Sequence, residues 1–121
     1  MQGNYHKHCL YMKQTENGWG VFTNLAINRG DLIEKAIMYR IKNVDGNENP
    51  HLFTWSDDRS VWAGGTGLTP FYNHSENPNI SKKGYLDKDV LEIYALRNIK
   101  AGEELVGKYY SKQWRKCFQD F

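Results

Sequence analysis

Cysteine is scarce: Cys9 and Cys117, near opposite ends, are the only two in 121 residues. They could pair or stay apart, but two thiols make no disulfide framework. No apolar run approaches the roughly 20 residues of a helical membrane span. The opening stretch MQGNYHKHCL lacks the apolar centre of a signal peptide. Charge of one sign is also lacking. The net +2 comes from basic residues spread along the chain, which argues against nucleic acid as the partner. Long heptad or 3.6-residue periods, repeats and low-complexity tracts are absent, and no composition shift marks a boundary. These absences leave one domain over 1–121, expected to be soluble, in a reducing compartment and off the membrane.

What is present suits such a domain. The chain is 40% hydrophobic and 25% charged, ordinary for a globular protein, and long enough to bury a core without staples. Short segments rich in aromatic and β-branched residues alternate with turn signals. HCLYMKQ and GVFTNL read as strands joined by TENGWG, where Asn17-Gly18 signals a turn. INRGDLIEKAIMYRI reads as a Gly-Asp turn and a long extended run. LFTW and RSVWAG are short strands around SDDR. DVLEIYALRNI sets Leu91, Ile93 and Ala95 on one face, the period of a half-buried strand. KAGEEL is another turn, and YYSKQWRKCF a last helical turn or an irregular arm. The expectation is a mainly β domain with little helix.

Three polar motifs stand out: NGWG (17–20), YNHSENPN (72–79) and AGEELVGKYY (101–110). Singly, each has a plain structural explanation. Gly18 and Gly20 could be turn glycines, and no dinucleotide-binding G-x-G-x-x-G surrounds them. His74 could be a structural histidine, and Glu103-Glu104 a solvated turn. The FYNHSENPNI stretch nevertheless carries more hydrogen-bonding groups than a turn requires. His6, His8 and Cys9 could in principle ligate a metal, but a flexible or strand-leading terminus is the better account of them, and no metal is expected.

The order of these motifs resembles the SET domain of protein lysine methyltransferases. The likeness runs from about Tyr11 to Trp114 and rests on N-H-S-x-N-P-N, then I-x-A-G-E-E-L, then a tyrosine. It implies a fold of small sheets in which the Asn-His-Ser and C-terminal segments form a knot-like crossing, an exception to unthreaded topology. It also implies S-adenosyl-L-methionine as cofactor, and a lysine that enters through a narrow channel from the opposite face.

Carried over residue by residue, the resemblance gives cofactor binding to Gly18, Trp19 and Gly20 through backbone groups. Asn73 would bind through its side chain and backbone, and His74 chiefly through its backbone. Ser75, Asn77, Pro78 and Asn79 would fix the turn feeding the crossing. Tyr109 would stand at the methyl-transfer point as catalytic residue and beside the cofactor, with neighbouring Tyr110 the competing candidate. Trp114 would stack on adenine, or else cap the core edge. Phe53, Trp55, Phe71 and Tyr72 would line the lysine channel or the core beside it. Gly107 would leave the channel room for more than one methylation, and Lys108 would face solvent.

The zinc-binding cysteine flanks of many chromatin relatives are missing, since one cysteine at each end cannot build them. A bare SET core is similar to minimal proteins of some viruses and bacteria, which implies a possible homodimer. If the protein is virus-encoded, host cytoplasm or nucleus is the expected location. The implied partner is a protein bearing the target lysine, with a histone tail as one candidate. The competing reading is a SET-like module that binds peptide or cofactor without turnover.

Overall fold

The computed structural model of the chain describes residues 10–46, 49 and 51–108. The first hairpin pairs β1 (Leu10–Thr15) with β2 (Gly18–Thr23), in register from Leu10 opposite Thr23 to Thr15 opposite Gly18. The Asn17-Gly18 signal marks this turn, but of the two only Gly18, at φ 97°, lies in the left-handed region. The Thr15 hydroxyl closes the loop, donating to the Gly18 carbonyl at 2.8 Å and accepting from the Asn17 amide at 3.0 Å.

The long extended run becomes β3 (Leu32–Ile41), entered by the Gly30-Asp31 turn in which Gly30 takes φ 88°. A bulge interrupts its pairing between Leu32 and Glu34. The bulge breaks the in–out alternation, so consecutive residues Ile33 and Glu34 are both buried. Beyond it the alternation resumes: Ala36 and Met38 face inward, Ile37 and Tyr39 outward.

β4 (Leu52–Thr54) and β5 (Trp62–Gly65) flank the polar turn, as their composition suggests. A 3-10 turn at Thr69–Phe71 then delivers the chain into β6 (Asn73–His74). β7 (Ile80–Tyr85) pairs along its length with β8 (Val90–Ala95), whose Leu91, Ile93 and Ala95 are buried as the alternation predicts. Sequence reasoning missed β7. Its run Ser81-Lys82-Lys83-Gly84 has no apolar period, and the strand exists because β8 offers it a complete ladder. The KAGEEL turn is present, with Gly102 at φ 86°, and β9 (Glu104–Gly107) starts inside that motif.

Two sheets result. One has the order β1-β2-β9-β6, the other β4-β5-β3-β8-β7. A shared core includes Val21 and Leu105 from the first sheet with Ile33, Met38, Ile80 and Ile93 from the second. Among the described residues, helical structure is confined to 3-10 turns. The domain is mainly β, as its sequence pattern leads one to expect.

The pairing that positions the site is the parallel one. Asn73 stands opposite Val106 and His74 opposite Gly107. This ladder puts the Asn-His-Ser segment beside the C-terminal strand, and β9 is hydrogen-bonded to β2 on its other side. The further passage of the C-terminal segment lies outside the described residues.

Candidate active site

β9 is the common neighbour of the first and second motifs, because Val21 and Phe22 of β2 pair with Leu105 and Glu104. Here the Asn73 side-chain amide donates to Glu104 Oε2 at 2.8 Å and to the Trp19 carbonyl at 3.3 Å. Gly20 lies against the same pair. A Cβ there would fall 2.5 Å from Glu104 Oε2 and 3.1 Å from Asn73 Nδ2, too close for an alanine to fit unchanged. Gly18 has open space where its Cβ would be, so its glycine serves the left-handed turn. Trp19 between them is 49% exposed. No donor among the described residues meets Asn73 Oδ1. β6 is the outer strand of its sheet among the described residues, so no described strand pairs its far side.

His74 and Lys108 share one carboxylate. The imidazole Nε2 lies 2.6 Å from Glu76 Oε2, and Lys108 Nζ lies 3.8 Å from Glu76 Oε1. The His74 side chain is nearly covered while Glu76 is exposed, so the pair closes the loop after β6 from outside. Lys108 is exposed, in line with its expected placement.

Asn79, fully buried, ties the turn to β9. Its Oδ1 accepts from the Val106 amide at 2.8 Å, and its Nδ2 donates to the Glu104 carbonyl at 2.8 Å and Glu103 Oε2 at 3.1 Å. Its own backbone amide donates to the Val106 carbonyl at 3.0 Å, and its carbonyl accepts from Leu96 at 2.8 Å. Glu103 is no solvated ornament. It also accepts from the Lys100 amide at 2.9 Å and pairs with Arg97 at 2.9 Å. These bonds hold its carboxyl below the usual range, against the opposing effect of burial, the largest single influence.

The aromatic candidates separate. Tyr72 is fully buried, and its hydroxyl donates to Glu34 Oε1 at 2.7 Å. Trp55 belongs to the core, with its indole N–H donating to Asp89 Oδ1 at 2.8 Å. Phe71 packs on the core edge beside His51, at a ring distance of 5.6 Å. These three serve the core in the structure. Phe53 is half-buried, and the Lys82 ammonium stands 5.4 Å from its ring centroid. Lys82 in turn reaches Gly107, where an added Cβ would be 3.4 Å from Lys82 Cε and 3.6 Å from Ile80 Cδ1. The room left by the missing side chain at Gly107 is thus bordered by Lys82 and Ile80. A cavity of about 250 Å³ opens here, lined by Pro78, Ile80, Lys82, Leu96, Gly107 and Lys108, with Ser81. Burial pushes the Lys82 ammonium down to about 8.

Glu34, Lys82 and Glu104 were not singled out as site residues by sequence reasoning. A lone acid in an apolar run (LIEKAI) was an available signal for Glu34, since a buried charge needs partners. It finds them in Tyr72 and in the Leu68 amide at 2.8 Å. Nothing local distinguishes Lys82 from Lys83. Tyr109, Tyr110 and Trp114 lie outside the described residues, as do His6, His8, Cys9 and Cys117. Among the described residues no group of three or more His, Cys, Asp or Glu could hold a metal, and no helix is long and apolar enough to cross a membrane.

A small β domain that folds its Asn-His-Ser segment in parallel against a Glu-Glu-Leu strand defines a class of protein, and comparison with known proteins agrees. The family model of the SET domain matches residues 18–110. The chain belongs to the SET-domain family. A histone-lysine N-methyltransferase of Schizosaccharomyces pombe, specific for H3 lysine-37, is 32% identical over 66 residues, 54% of this chain. The match spans 44% of that relative, less than half its length. A Plasmodium falciparum protein provisionally assigned as a histone methyltransferase superposes with TM-score 0.67 at 24% identity, covering 84% of this chain and 93% of that one. The polycomb repressive complex 2 of Chaetomium thermophilum, in an autoinhibited conformation bound to S-adenosylmethionine, gives TM-score 0.69 at 22% identity, covering 86% of this chain and 15% of that one. At such identities these two structures establish the fold.

Proposed function

We propose that the protein is a protein-lysine N-methyltransferase taking its methyl group from S-adenosyl-L-methionine. The observation that carries this reading is the meeting of the Trp19 carbonyl, the Asn73 amide and the Glu104 carboxylate on β9, the strand whose Gly107 lines the cavity. Three motifs far apart in sequence converge on one strand, and separate structural roles would not require that.

The residues present suit the cofactor. Its amino-acid end carries an ammonium, and Asn73 Oδ1 is an acceptor that no described residue satisfies. The Glu104 carboxylate beside it adds a negative potential that favours a cation. The outer edge of β6 offers backbone groups of Asn73 and His74, and exposed Trp19 offers an indole face. When bound, S-adenosylmethionine supplies an electrophilic methyl group on a cationic sulfur.

The chain's own task is then alignment and desolvation. Ile80 and Leu96 in the cavity wall, with Phe53 next to Lys82, would provide apolar surface along which a lysine side chain loses water, which favours its neutral, nucleophilic form. Holding the amine in line contributes most of the acceleration, since the transfer needs no acid or base beyond loss of one lysine proton. Tyr109 is assigned to the transfer point by its place in the GEEL-x-x-x-Y motif, where its ring suits a cationic neighbour. Trp114 is assigned to adenine on the same ground. With 1–121 taken as a single domain, Gly107 leaves room for more than one methyl group.

The substrate proposed is a histone tail, supported by the name of the Schizosaccharomyces pombe relative. None of the relatives bears on a viral source or a homodimer. The testing experiment supplies labelled S-adenosylmethionine with core histones and, separately, a bacterial lysate, with Tyr109→Phe as control. Label on a histone, lost in the variant, is expected. Label confined to a lysate protein moves the substrate and keeps the chemistry. No label, together with no calorimetric binding of the cofactor, refutes the reading.

A further inference from the structure

Lys82 is a member of the cavity wall to which the reaction above gives no part. Its backbone is fixed in β7, opposite Ile93 of β8. From there its side chain runs toward β9, bringing Cε to 3.4 Å from a Cβ position on Gly107 and Nζ to 5.4 Å from the Phe53 centroid. Pro78, Ile80 and Leu96 form the surrounding wall. An alkyl-ammonium chain therefore reaches both Gly107 and Phe53, the two described residues that the channel reading assigns to its wall and that Lys82 touches. A substrate lysine entering that channel would present the same chemical group. The neighbouring lysines differ in burial: Lys83 and Lys108 are both exposed.

We propose that Lys82 is itself a methyl acceptor, a self-methylation site built into the channel wall. The proposal rests on the methyltransferase reading above. The ammonium first loses a proton to water. The Nζ lone pair then forms the N–C bond to the methyl carbon of S-adenosylmethionine as the C–S bond breaks. The sulfonium leaves as the neutral thioether S-adenosylhomocysteine, and the positive charge passes to the methylated amine. Burial assists the first step. Its ammonium is pushed down to about 8, so Lys82 gives up its proton at a lower pH than an ordinary lysine.

The test uses the full chain with S-adenosylmethionine carrying a heavy-isotope methyl, followed by peptide mass mapping. Added methyl mass on Lys82, at least tenfold above Lys83 and Lys108 and absent from Lys82→Arg, is expected. A cofactor-free measurement accompanies it: the Cε chemical shift of Lys82, assigned by the same variant, should titrate near pH 8. A midpoint at the ordinary value of about 10.4 would put the amine in water and overturn the proposal. Methyl groups on added histones but none on Lys82 would overturn it while leaving the methyltransferase reading intact. No methyl on any protein, with no cofactor binding by calorimetry, would remove that reading and this proposal together.

Discussion

The side-chain amide of Asn73 donates to the carboxylate of Glu104 across 2.8 Å, joining residues thirty-one apart in sequence. The bond orients the Asn73 amide so that its nitrogen faces protein, while no described donor meets its oxygen. Removing that amide in Asn73→Ala should weaken cofactor binding about tenfold or more, the cost of one hydrogen bond to a charged group. Glu104→Gln keeps an acceptor for Asn73 and loses only charge, so its effect should be smaller. Calorimetry on the two variants checks the order.

Two nearby glycines should fail in different ways. Gly18→Ala meets no neighbour but must hold φ 97°, a conformation costing an L-residue about 1–2 kcal/mol. Gly20→Ala drives a methyl group into Glu104 and Asn73. Thermal melting should expose the first, with cofactor affinity little changed. Titration with cofactor should expose the second as a loss of affinity beyond any loss of stability.

Asn79→Ala should be the most damaging polar substitution. It leaves the Val106 amide and the Glu104 carbonyl without their side-chain partner inside the protein. Each orphaned buried group costs about 1–3 kcal/mol, so a total loss of about 3 kcal/mol is expected in urea unfolding. Asn79→Asp preserves the acceptor for Val106 but turns a second carboxylate toward Glu103, so it should also destabilise. A variant as stable as the parent would show that β9 holds its place without the clamp.

Glu34 makes stability depend on pH. Burial raises its carboxyl above the ordinary range, while the bonds from Tyr72 and Leu68 partly restore it. An acid with a raised folded pKa loses its proton first in the unfolded chain, from about pH 4.3. Its contribution is therefore most favourable below that pH, falls as pH rises through the folded pKa, and is constant above. Tyr72→Phe removes a bond that favours the carboxylate, so it should destabilise more at pH 7 than at pH 4, by about 1–3 kcal/mol at neutrality. Equal losses at the two pH values would contradict an ionised Glu34 in the native state.

Much of this molecule is visible in local sequence. Alternation in VLEIYA fixed which face of β8 is buried, Asn17-Gly18 marked the first hairpin, and the three motifs carried the family. Those signals are short-range, set by side-chain period and by the few residues that accept unusual dihedrals. Local sequence could not supply β7, whose polar run becomes a strand only because β8 presents unpaired backbone groups. Local sequence likewise left Trp55 and Tyr72 between the lysine channel and the core. Aromatic type says nothing about direction, and in the structure their polar atoms meet Asp89 and Glu34 in or beside the core.

The sequence by itself determined a mainly β domain, several of the places where the chain turns and the motifs that mark the family. Tertiary structure alone decided which of them meet. The β3 bulge turned Glu34 inward, and parallel pairing of β6 with β9 set Asn73 beside Glu104. The β7–β8 ladder aimed Lys82, and not Lys83, at Gly107. Each depends on hydrogen bonds or packing between distant segments, whose partners exist only once the chain has folded.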